Sequence, residues 1–216
     1  ERHSAWENVA RKLAHEIKNP LTPIQLSIDS LREKYLDKIG EDSEKFINYL
    51  NTINKQIKDI ENLVNEFSDF ARMPKPVFKK IDVIAIAFRT LKLYELADPN
   101  IKFILSKTKN NFNIKADEEQ LNRVFLNLIK NSVESIKEKR NKNVDFKGKI
   151  NVEIKGDSDY IYVTIVDNGV GFEQVDKARM ITPYYTTKKK GTGLGLAVVT
   201  KVISDHNGTI VFNSIK

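Results

Sequence analysis

WENVARKLAHEIKNPLTPIQLSIDSLREKY, residues 6–35, carries apolar side chains at Trp6, Ala10, Leu13, Ile17, Leu21, Ile24, Ile28, Leu31 and Tyr35. Steps of three and four place them on one stripe of an α-helix, and so narrow a stripe suits a coiled-coil seam better than a broad globular face. Two successive steps of four, Leu13 to Ile17 to Leu21, mark a local stutter around HEIKNP, residues 15–20. Pro20 has no amide hydrogen for the carbonyl of Glu16, so the helix is expected to bend there. A second stripe follows at Phe46, Leu50, Ile53, Ile57, Ile60, Val64 and Phe67, and Gly40 is the one glycine in residues 3–71. The two stripes therefore read as a helical hairpin turning at Ile39-Gly40-Glu41. Two helices with narrow seams bury little by themselves. Pairing two hairpins into a dimeric four-helix bundle removes the deficit, and a homodimer is expected.

Arg72-Met73-Pro74-Lys75-Pro76 ends the second helix, because proline lacks the donor and restricts its predecessor. Beyond it the pattern is mixed. A helix is expected near Asp82–Ala97, strands near 101–106 and 111–116, and a long helix from Asp117, where Gln120 three residues on resembles a capping box. Strands near 149–155 and 160–167, a helix near 194–206 and a strand near 209–213 complete an α+β layer of helices on a mostly antiparallel sheet.

The 216 residues suffice for a domain and a smaller partner. With no cysteine, thiolate zinc sites and disulfides are excluded, and three scattered histidines argue against a histidine-rich metal site. No apolar run of membrane-spanning length occurs, so no membrane contact by this fragment is expected. The net charge of +7 is spread along the chain without a dense basic arm, which argues against nucleic acid.

Six of the nine glycines lie between Gly169 and Gly208. In GTGLGL, residues 191–196, they precede an apolar helix whose first amides lack intrahelical partners, and Lys188, Lys189 and Lys190 stand just before. Such a loop can cradle a polyphosphate, or can simply need positive φ. In DNGVGF, residues 167–172, Asp167 ends a strand where a carboxylate can accept from the exocyclic amine of adenine, with Gly169 and Gly171 leaving room for a flat ring. A plain turn is the competing reading. On the long helix Asn127 and Asn131 share a face and offer two amide oxygens to a hydrated magnesium ion, or to solvent.

HEIKNP, NLIKNSVES, DNGVGF and GTGLGL together resemble, in order and spacing, the sensor histidine kinases, and span nearly the whole chain. The stretches WENVARKLAHEIKNPLTPIQLS and PYYTTKKKGTGLGL look most like the nitrogen-regulation kinases of the NtrY type. The resemblance implies that residues 1–72 form a dimerisation and histidine-phosphotransfer hairpin. Residues 77–216 would be an α/β-sandwich ATP-binding domain of the Bergerat type, whose last strand the chain does not reach.

His15 would then be the phosphoacceptor, Glu16 the group that orients or deprotonates its ring, and Asn19 the residue that positions water for removing phosphate from a response regulator. ATP and Mg2+ are implied, with magnesium at Asn131 and Asn127 and adenine at Asp167. Gly169, Gly171, Thr187, Lys188, Gly191, Thr192, Gly193, Leu194 and Gly195 would line the nucleotide site, under a lid running from about Phe172 to Lys190. Homodimerisation, a response-regulator partner and anchoring of the longer protein in the bacterial inner membrane follow from the same resemblance. A gyrase- or Hsp90-like ATPase is the second reading, but it needs a carboxylate on the long helix where Asn127 stands. A kinase-like scaffold without activity is the third.

Overall fold

The computed structural model describes the backbone of residues 2–172 and 193–214, and their side chains from Ala10 onward. The chain forms two compact units; among the described residues the first holds 2–74 and 193–194, and the second holds 75–172 and 195–214.

In the first unit α1 (Arg2–Tyr35) and α2 (Ser43–Ala71) pack as a hairpin. Two short 3-10 turns, Leu36–Lys38 and Gly40–Asp42, join them, and Gly40 sits at φ +64, where a β-carbon would be strained. The apolar stripe divides in two. Ala14, Leu21 and Ile28 of α1 and Leu50, Ile57 and Val64 of α2, each spaced by seven, are buried. The interleaved Leu13, Ile17, Ile24, Leu31, Tyr35, Ile53 and Ile60 stay 40–45 % exposed. One half of the seam thus closes the hairpin and the other half lies on its surface. Helix α1 continues through both Pro20 and Pro23, with the Ser27 hydroxyl donating to the Pro23 carbonyl at 2.8 Å.

Among the described residues of the second unit three helices, α3 (Val83–Ala97), α4 (Glu118–Lys142) and α5 (Gly195–Asp205), accompany five strands. Strands β1 (Lys79–Asp82) and β3 (Asn113–Ala116) pair antiparallel, and β2 (Ile101–Lys107), β4 (Gly148–Gly156) and β5 (Ile161–Asp167) form a sheet of order β2-β4-β5. Its β2–β4 pair is parallel and its β4–β5 pair antiparallel, so the sheet is mixed where a mostly antiparallel one was expected. The reason is the long return through β3 and α4, which lets β4 re-enter beside β2 in the same direction. β1 went unforeseen, because Lys79-Lys80-Ile81-Asp82 has a single buried residue and shows no alternation. The strand expected over 209–213 is not among the described elements.

The expected helix starts carry real caps. Asp82 accepts from the Ile84 amide at 3.1 Å and the Phe112 amide at 3.0 Å, and Asp117 accepts from the Gln120 amide at 3.0 Å. The core lies between helices and sheet and includes Ile150, Val152 and Ile154 of β4, Ile129 and Ile136 of α4 and Val199 and Val202 of α5, all fully buried, with α4 packed on both β4 and α5.

Asp98, just past α3, is 6 % exposed and receives both terminal nitrogens of Arg140 at 3.1 and 3.3 Å. The Arg140 guanidinium, helped by the Asn100 amide and Lys137 against the cost of burial, holds the Asp98 carboxyl below its ordinary value of 3.8. Asp98→Asn is expected to cost about 2–3 kcal/mol, since it leaves the guanidinium facing a neutral partner. A depressed carboxyl stabilises the fold above its unfolded value, and that contribution is lost as pH falls through the folded value. The difference between wild type and variant in urea melts should therefore be constant near neutrality and shrink below about pH 4.

Candidate functional site

His15, Glu16 and Asn19 all lie on the exposed side of α1, while the neighbouring Ala14 is buried in the hairpin. The seam thus turns the imidazole outward into solvent. Glu16 reaches back one turn to Lys12 at 3.9 Å, an exposed pair that contributes little to stability.

In the second unit α4 organises the other candidates. Asn127, Asn131, Ser135 and Lys139 follow one another at steps of four and form a single ridge about 18 Å long at the usual helical rise. At one end the side-chain amide of Asn127 donates to the Arg123 carbonyl at 3.0 Å, which leaves Oδ1 facing the start of α5. A β-carbon on Gly195 would lie 3.1 Å from that oxygen. Gly193, with φ +71, turns the chain into α5, whose first amides are oriented donors. Asn131 is half-buried at the middle of the ridge.

The far end of the ridge holds DNGVG. Asp167 pairs with Ile150 across β4 and β5, so it shares the face of a fully buried residue and points to the helical layer. Its Oδ1 accepts from the Gly169 amide at 2.9 Å. The Val170 amide donates to the Ser135 hydroxyl at 3.0 Å, and the Lys139 ammonium donates to the carbonyls of Asn168 and Gly169 at 2.9 and 3.1 Å. A β-carbon on Gly169 would stand 2.2 Å from Ser135 Oγ and 2.6 Å from its backbone carbonyl carbon. The missing side chain therefore admits the helix. Gly171 has φ +68, and its β-carbon would meet the Ser214 hydroxyl at 2.5 Å.

Ser135, Lys139 and Asn168 were not anticipated. Their signal was present, since NLIKNSVESIKEK continues the step of four from Asn131 to Ser135 and Lys139. Leu194 is buried immediately before α5. Thr187, Lys188, Gly191, Thr192 and most of the expected lid lie outside the described residues. No cluster of three or more histidine, aspartate or glutamate side chains fit to hold a metal occurs among the described residues.

The opposite ends of α4 and α5 meet at His206. Its Nε2 accepts from the Asp117 amide at 2.9 Å, so the ring proton sits on Nδ1, 2.8 Å from the Val202 carbonyl. Burial alone would raise the Asp117 carboxyl. Amide donors from Gln120, Val77 and Glu119 outweigh it and hold the group below its ordinary value.

Residues 5–76 match the family described as the His Kinase A phospho-acceptor domain, and residues 116–216 match the histidine kinase-, DNA gyrase B- and HSP90-like ATPase. Nitrogen regulation protein NtrY of Azorhizobium caulinodans is 40 % identical over 99 % of this chain and 27 % of its own length. The signal transduction histidine-protein kinase AtoS of Escherichia coli is 31 % identical over 92 % of this chain and 31 % of its own. The chain thus spans about a third or less of the relatives it matches. Among solved structures, full-length ShkA with AMPPNP aligns at a TM-score of 0.68 and 19 % identity over 94 % of this chain and 42 % of that one. ThkA in complex with the response regulator TrrA aligns at 0.64 and 23 % over 96 % and 57 %. At such identities the two share the fold.

Proposed function

Because the chain belongs to the sensor histidine kinases, joining a phospho-acceptor hairpin to an ATPase domain, we propose that it transfers the γ-phosphoryl group of ATP to His15 and then to an aspartate of a response regulator. The carrying observation is the α4 ridge, which ties both glycine-rich segments to one helix face beside Asp167. Asp167, with Oδ1 held by the Gly169 amide, accepts from the exocyclic amine of adenine through its other oxygen. The first amides of α5 meet phosphate oxygens, which suits the positive end of a helix. Asn127 and Asn131 supply oxygens for magnesium. Bound there, the ion would offset charge on the phosphates.

At His15 a neutral ring nitrogen forms the new N–P bond while the bond from γ-phosphorus to the bridging oxygen breaks and ADP leaves. Glu16 orients the ring and takes its proton. Exposure of His15 on α1 is what allows a nucleotide to reach it. Asn19, one turn further along the same exposed side, orients water for removing phosphate from the regulator. The protein functions as a homodimer, supported by the half of the seam left on the hairpin surface. Ile24→Glu with Ile53→Glu should reduce the sedimenting mass from two copies to one while leaving the helical circular-dichroism signal in place. Anchoring in the inner membrane would belong to parts of the longer protein. No described helix here is long and apolar enough to cross a membrane.

Incubation with γ-labelled ATP and magnesium tests the reading. Label retained on the protein in alkali and lost in acid supports it. Phosphate released as fast as ATP disappears, with no labelled protein, supports the ATPase instead, and ATP bound without either product supports the scaffold.

A further inference from the structure

Lys139 has no role in the reading so far, yet its surroundings are built. Its ammonium donates to the carbonyls of Asn168 and Gly169 and lies 4.7 Å from the centre of the Phe146 ring. The Asn168 side chain accepts from the Lys149 amide at 2.8 Å and donates to the Lys147 carbonyl at 3.0 Å, so the Asn168–Gly169 peptide is anchored from the β4 side as well. That one peptide group has Lys139 on its oxygen and Asp167 on its nitrogen, since the Gly169 amide donates to Asp167 Oδ1. A cation on a carbonyl polarises the amide at the other end of the same peptide and strengthens its donation.

Resting on the nucleotide reading above, we infer that Lys139 is a positioning residue for base recognition. Acting through the Asn168–Gly169 peptide, it engages one oxygen of Asp167 and presents the other to the exocyclic amine of adenine. The charge matters more than the bulk of the side chain, because the carbonyls need a donor and the peptide needs its polarisation. Discrimination for adenine over guanine should then depend on Lys139, as guanine has a carbonyl where adenine has its amine and gains nothing from an acceptor at that point.

Lys139→Met and Lys139→Arg in the full chain test this. In the nucleotide-free protein the Gly169 amide proton should move upfield in Lys139→Met and stay near its place in Lys139→Arg, which still donates. By calorimetry with magnesium present, Lys139→Met should weaken ATP about tenfold and lower the ratio of ATP to GTP affinity by a similar factor. Lys139→Arg should restore most of both. An unmoved Gly169 resonance with ATP affinity within about twofold of wild type would overturn the inference and leave the kinase reading intact. So would equal weakening of ATP and GTP together with a lowered melting temperature, the mark of a merely structural lysine. Failure of the unsubstituted chain to bind ATP overturns the nucleotide reading and this inference with it.

Discussion

Glutamine at position 15 is expected to reduce acid-labile labelling from γ-labelled ATP to background, a fall of at least about a hundredfold, while nucleotide binding and melting stay unchanged. The fold is indifferent to the change because His15 is exposed and the hairpin closes through Ala14, Leu21 and Ile28. Stability should shift by no more than about 0.5 kcal/mol. Of the other two histidines, His3 lies outside the described side chains and His206 is already engaged. His206 has Nε2 accepting from the Asp117 amide and Nδ1 against the Val202 carbonyl, so neither ring nitrogen is available to a phosphoryl group. Autoradiography after acid and alkali treatment of wild type and His15→Gln checks the expectation. Undiminished acid-labile label in the variant would place the phosphoacceptor elsewhere.

Gly169→Ala is expected to abolish ATP binding and to destabilise the second unit by about 3 kcal/mol, lowering its melting temperature by roughly 10 °C. The new β-carbon would stand 2.2 Å from Ser135 Oγ, which a rotamer change can relieve. It would also stand 2.6 Å from the Ser135 backbone carbonyl carbon, which no rotamer moves. The loop must then lift from α4, breaking the Val170–Ser135 and Lys139–Gly169 hydrogen bonds and with them the setting of Asp167. Adding Ser135→Gly should recover only part of the stability, because the backbone contact persists. Calorimetric titration with ATP and thermal melts of the single and double variants measure both effects, and an alanine variant that binds ATP as wild type does would contradict the close approach.

Much of this was legible because it is local or periodic. The seam in residues 6–35, the glycine turn at Gly40 and the cap at Asp117 each depend on side chains a few positions apart, and helix geometry converts such spacing into a face. The homodimer expectation drew on the same spacing, but the division of the seam did not. Ile57 and Ile60 look alike in the stripe, yet one is buried and the other 42 % exposed, because the packing of α1 on α2 selects which half closes the hairpin. Gly169 shows the other limit. The sequence announces a glycine needed beside Asp167, but its reason lies in Ser135, a neighbour on another element.

The sequence by itself determined the two architectures and the residue types available for nucleotide chemistry, since these follow from periodicity and from short motifs. Only the tertiary structure decided the parallel pairing of β2 with β4, the bidentate hold of Arg140 on Asp98, and the peptide shared between Lys139 and Asp167. Those depend on which carbonyl or carboxylate a long side chain meets once α4 lies across the sheet. That meeting is set by packing between elements far apart in the chain, where neither period nor spacing carries information.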